Sequence, residues 1–169
     1  MTFASDTVAL TNRFRVLVVP GLHGSGPAHW QSRWQQLHPT YERVEQERWD
    51  SPDLPVWSQR LRQVLMQRIE PTLIVAHSFG CLTTVHCMRT CANDLVHVAG
   101  ALLVAPADPV KFQVADVLHG QLAVPSLLVG SRNDPWMSAA RAAHWATIWG
   151  GGIPGCRCAW THQCRFRSR

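Results

Sequence analysis

No apolar run in the chain approaches the roughly 18–20 residues needed to span a bilayer, so no transmembrane helix is expected in these 169 residues. The first 14 residues lack a basic start followed by an apolar stretch, so no signal peptide is read there and a cytoplasmic protein is the expectation. Charged residues are few, 16% against 46% hydrophobic, which excludes a disordered chain and fits one globular domain. Internal repeats and dividing linkers are missing too. The 11 acidic residues avoid positions 151–169, which hold four arginines (Arg157, Arg165, Arg167, Arg169) and half of the six cysteines. The net charge of +5 therefore belongs almost wholly to that tail, and the rest of the chain is close to neutral. Four arginines without a fold of their own give only salt-sensitive, non-specific attraction to nucleic acid. The expected organisation is one domain over residues 1–150 and an aberrant basic tail over 151–169, with no nucleic-acid or membrane partner.

What is present is an alternation of short apolar strands with amphipathic helices. Residues 15–20 read as a continuously apolar strand of a parallel sheet covered on both faces, 73–76, 98–105 and 124–129 as further strong strands, and 41–45 as a weaker one. Helices are expected over 27–37 (Trp30, Trp34 and Leu37 on one face), 54–69, 80–90 and 138–149. Strands alternating with helices imply an α/β fold with a mainly parallel sheet.

Ala76-His77-Ser78-Phe79-Gly80 lies between a strand and a helix, which is the context of a nucleophile elbow in α/β-hydrolases. The turn is strained and backbone packs closely on backbone, so the positions two before and two after the serine must be small. Ala76 and Gly80 meet that demand. Serine is a weak nucleophile and needs a histidine and a carboxylate from elsewhere in the chain. Asp134 follows the strand 124–129 on a loop stiffened by Pro135, where a carboxylate can fix an imidazole tautomer. Asp108, after the strand 98–105, is the rival. An oxyanion hole needs two amides aimed at the developing charge. Phe79 N–H at the helix start is one, and the loop Gly21-Leu22-His23-Gly24 offers Leu22, with His23 as the alternative. That glycine-rich loop is not a Walker A motif, because no Gly-Lys-Ser/Thr follows it. His77 reads as structural. No histidine on the helices shows the spacing of a base or a metal ligand. Cys81, Cys87 and Cys91 read as small hydrophobes. In the tail, Cys156, Cys158, His162 and Cys164 form a weak metal-ligand pattern, so no metal and no cofactor are expected.

Several separate stretches, Val18–Leu22, Gly26–Gln31, Trp34, Glu45-Gln46, Trp49-Asp50, Ala76–Gly80 and Gly130–Pro135, resemble one group. It is the compact serine hydrolases of the α/β-hydrolase superfamily typified by retinoblastoma-binding protein 9, in its bacterial branch. The resemblance implies a three-layer α/β-hydrolase fold. It also implies a serine hydrolase with Ser78 as nucleophile and Asp134 as acid, acting on a small ester or amide.

The departure is at the C-terminus, where the group continues with a strand and a Gly-His-Ile-Asn carrying the catalytic histidine, then a helix. Here Gly150 is followed by a Cys- and Arg-rich tail with no strand pattern, so the last strand and helix are expected to be missing. One permitted codon choice from Gly151 onward, read one nucleotide later, gives Ala-Glu-Phe-Leu-Asp-Ala-Gly-Ala-Pro-Gly-His-Ile-Asn-Ala-Asp-Ser. A frameshift is therefore the expected origin of the tail. The chain is expected to be a hydrolase impaired by loss of its base, with His162 the candidate to replace it. The alternative is a binding protein that keeps the fold without the chemistry.

Overall fold

The computed structural model describes residues 14–151. The basic tail, its cysteines, His162 and the first 13 residues lie outside the described residues. Five strands form one parallel sheet in the order β2-β1-β3-β4-β5: β1 (Arg15–Val19), β2 (Glu42–Arg43), β3 (Thr72–Ser78), β4 (Val98–Pro106) and β5 (Ser126–Val129). Four helices stand between and after them: α1 (Trp30–Leu37), α2 (Leu54–Met66), α3 (Phe79–Thr90) and α4 (Ala139–Ile148). No helix among the described residues is long and apolar enough to cross a membrane.

The β-branched run of β1 is buried along its whole length, as a central parallel strand requires. Its one charged residue, Arg15, is satisfied inside by Glu42 Oε2 at 2.8 Å and by Val64 O at 3.1 Å. β3 lies between β1 and β4 with Leu17 beside Ile74 and Val75 beside Leu102. α2 begins where Asp53 accepts the Val56 N–H at 3.1 Å, with proline in its first turn, a position where the missing N–H costs nothing. It buries Trp57, Leu61 and Leu65, each such side chain being worth about 1.5–3 kcal/mol against exposure. α3 is buried on most sides and packs on α2 and on the middle of the sheet.

α1 reverses the expectation about its apolar face. Leu37 is 73% exposed and Trp34 39%, while Gln31 is fully buried. The polar side chain wins the interior because carbonyls of β1 and β3 need donors there. Gln31 Nε2 donates to Val19 O and Val75 O at 3.3 and 3.1 Å, and its Oε1 accepts from Ser25 Oγ at 2.7 Å. On the sheet, a groove of about 470 Å³ lies open among the described residues, lined by apolar side chains such as Leu73, Val75, Pro125 and Leu127. The described chain ends at its lip, where Gly151 stands against Ser126.

Candidate active site

The strand order turns round at β1, which sends one connection to β2 and has β3 on its other side. Loops leaving the carboxyl ends of β1 and β3 diverge there, and such a switch point opens a crevice for a ligand. Both loops carry residues singled out from the sequence.

Ser78 ends β3 and stands at the N-cap of α3 with φ 52 and ψ −123. That conformation is costly for a non-glycine residue, of order 1–3 kcal/mol, and persists only where neighbours enforce it. The neighbours are visible. A Cβ on Gly80 would collide with the carbonyls of Val19 and Pro20. A Cβ on Gly21 would stand 2.7 Å from Ser78 Cβ and 3.2 Å from its Oγ. The β1 loop therefore passes directly over the serine, and only glycine permits the approach. Ser78 makes no side-chain cap to its own helix. The first amides of α3, Phe79 among them, have no intrahelical acceptor and add the positive end of the helix dipole.

Leu22 begins a short 3-10 turn, Leu22–Gly24, above the serine. His23, the alternative donor, gives its N–H to Trp49 O at 3.0 Å, so of the two weighed amides Leu22 is the one not spent on that bond. His23, Gly24 and Ser25 all have positive φ, at 63, 71 and 51. The strained stretch rests on Trp49, whose ring lies against Gly24. Ring contacts continue from Trp49 to Trp57, Phe79 and Phe112 at 5.5, 5.2 and 5.0 Å, joining the β1 loop, the elbow and the β4 loop.

Asp134 follows β5 in a loop where its Oδ1 accepts the N–H groups of Trp136 and Met137 at 2.8 and 3.2 Å. Its second oxygen is not used in those bonds. The loop is pinned by Lys111 Nζ, which donates to Trp136 O at 2.7 Å, and by buried Met137. Asp108, the rival, is buried and engaged: its Oδ1 accepts from Val110 N at 3.0 Å and from Arg141 Nη2 at 2.7 Å.

His77 precedes the serine, its ring 4.5 Å from that of His29 and 6.1 Å from that of Trp30. Burial, reinforced by the neighbouring His29, pulls its pKa down to about 4, with Asp134 acting in the opposite direction. His29 is lowered as well, by burial and then by Arg43, and its Nδ1 accepts the Gln31 N–H at 3.3 Å. Five of the other described histidines are occupied elsewhere, whereas the exposed His23 stands on the Leu22–Gly24 turn. His86 meets Ser58 Oγ at 2.9 Å, His97 meets Leu65 O at 3.2 Å, His38 stacks on Tyr41, and His119 and His144 lie against Trp145. Among the described residues no histidine hydrogen-bonds Ser78, and no three metal-binding side chains stand together. His162 lies outside the described residues.

The roles of Gln31, named only within a resembling stretch, and of Arg43 escaped the reading of the sequence. With Gln35 and Gln36 on the same helix, nothing in composition marked Gln31 as the buried one. Nothing in the two-residue strand β2 marked Arg43.

The serine hydrolase family model matches residues 16–156. Among solved structures, a protein described as a YdeN-like hydrolase from Pectobacterium atrosepticum is 34% identical, with 89% of this chain and 80% of that chain covered and a TM-score of 0.81. The ydeN gene product of B. subtilis is 18% identical over 82% of each chain, with a TM-score of 0.62, a likeness of fold alone. No curated protein matches. The chain belongs to the serine hydrolase family, and its parallel five-stranded sheet with helices is an α/β-hydrolase-like fold.

Proposed function

We propose that this member of the serine hydrolase family cleaves a small ester or amide by acyl transfer to Ser78. The observation that carries the reading is the backbone of Ser78, held at φ 52 and ψ −123 beneath Gly21 at the switch point of the sheet. In the proposed reaction Ser78 Oγ bonds to the substrate carbonyl carbon while an imidazole takes its proton. The carbonyl oxygen becomes an oxyanion facing the N–H groups of Leu22 and Phe79. The imidazole then returns the proton to the leaving alcohol or amine, and water releases the acyl group by the same steps in reverse roles. Asp134 would accept the second imidazole N–H. Its support is a loop that uses one oxygen for its own amides, and an electrostatic reach to His77. The engagement of Asp108 with Arg141 weighs against the rival.

The base is the missing part. Eight of the nine histidines are described, and the ninth is His162 in the tail. The tail lacks the Gly-His-Ile-Asn of the compact serine hydrolases that the sequence resembles, so we infer feeble catalysis in the chain as it stands. A fluorophosphonate probe incubated with the full chain should label slowly, and Ser78→Ala should abolish labelling. Labelling that survives Ser78→Ala would overturn the assignment.

A further inference from the structure

We infer that Arg43 is a positioning residue for the oxyanion hole; the inference rests on the serine hydrolase reading above. Arg43 ends β2 and turns its guanidinium under the loop that carries Leu22. Nη1 donates to Gly24 O and, at 3.4 Å, to Ser25 O. Nη2 donates to Ser32 Oγ at 2.8 Å, and that hydroxyl in turn donates to Ser25 O at 2.5 Å. Nε donates to Gln35 Oε1 at 2.8 Å. One planar fork therefore spans two carbonyls of that stretch, those of Gly24 and Ser25, and two side chains of α1. Among the described residues Glu45, at 3.9 Å from Nε, is the carboxylate paired with it, so the charge serves mostly as donor to the loop.

His23 and Ser25, which unlike Gly24 bear a Cβ, would relax out of positive φ without an external hold, and relaxation would swing the preceding Leu22 N–H away from Ser78. An ammonium keeps the charge but cannot present a rigid fork to several acceptors at once. Arg43→Lys is accordingly the informative variant, with Arg43→Met beside it. Two readouts on the full chain separate the possibilities. Amide hydrogen exchange at His23, whose N–H bonds Trp49 O, should quicken at least tenfold in both variants. That of Val44, whose N–H bonds Val18 O, should hold steady. The rate constant of Ser78 labelling by a fluorophosphonate, whose phosphoryl oxygen occupies the same hole, should fall at least tenfold. Unchanged His23 exchange would overturn the clamp. Faster exchange with unchanged labelling would show a clamp on a loop that is not the oxyanion hole, and would also overturn it. A parent chain that does not label at Ser78 at all would instead remove the hydrolase reading on which the inference rests.

Discussion

The environment of a single side chain, His77, makes the elbow sensitive to acid. In the native state it stays neutral down to about pH 4, against 6.5 for the free side chain, because burial and His29 disfavour its charged form. Between those values the unfolded chain binds a proton that the folded chain refuses. Stability is therefore full above about pH 6.5, falls as the pH drops towards 4, and suffers no further loss from this group below that. The contribution is at most about 3 kcal/mol. Urea unfolding of the parent and of His77→Gln at pH 7.5 and pH 5 should show the parent losing more, the variant keeping the smaller slope due to His29 and His86, which burial also lowers. Parallel pH dependence in the two proteins would mean that His77 is solvated. At this scale the sequence spoke unevenly. Ser78, Gly80 and Asp134 announce themselves through small neighbours and turn residues. Gln31 and Arg43 do not, because their roles depend on carbonyl oxygens that only the folded sheet brings within reach.

Elements were easier to read than their ends. The strands at 15–20 and 98–105 stand within a residue of where apolar periodicity puts them, and the helix expected over 54–69 starts at Leu54 but ends three residues early, at Met66. α1 starts at Trp30 and not at 27 because His29 accepts the Gln31 N–H and so fixes the cap. β3 runs on to Ser78, past the end of its apolar run, because pairing with β4 continues to Pro106. The same scale decides between the two carboxylates. The β4 loop and α4 are tied by Asp108 and Arg141, whereas the Asp134 loop ties only itself and Lys111. Asp108→Ala leaves the Val110 N–H without its acceptor and should cost about 1–3 kcal/mol of stability, read as a lower unfolding midpoint in urea, with Ser78 labelling retained. If labelling disappears while stability holds, Asp108 is the acid and Asp134 is not.

For the whole molecule, a parallel sheet with its site at β1 and β3 was legible from the order of strands and helices. The base was not, since the segment that should bear it departs from the resembling family. Replacing residues 151–169 by the reading-frame alternative, with its apolar strand and Gly-His-Ile-Asn, should raise hydrolysis of a short-chain p-nitrophenyl ester by about 10²–10⁴-fold, the worth of a positioned base. Equal activity in the two chains would mean that a histidine already present, His162 first, serves.

The packing of Gly80 against the carbonyls of Val19 and Pro20 has a consequence for how the site comes into being. The elbow is not a local motif that a short peptide could carry. Its shape is imposed by a strand some sixty positions earlier in the chain, so it exists only after β1 and β3 have zipped together. A newly made chain is chemically silent until that pairing closes. Any process that parts those two strands, whether heat, denaturant or a protease cutting the intervening loops, disarms the serine while leaving every covalent bond around it intact.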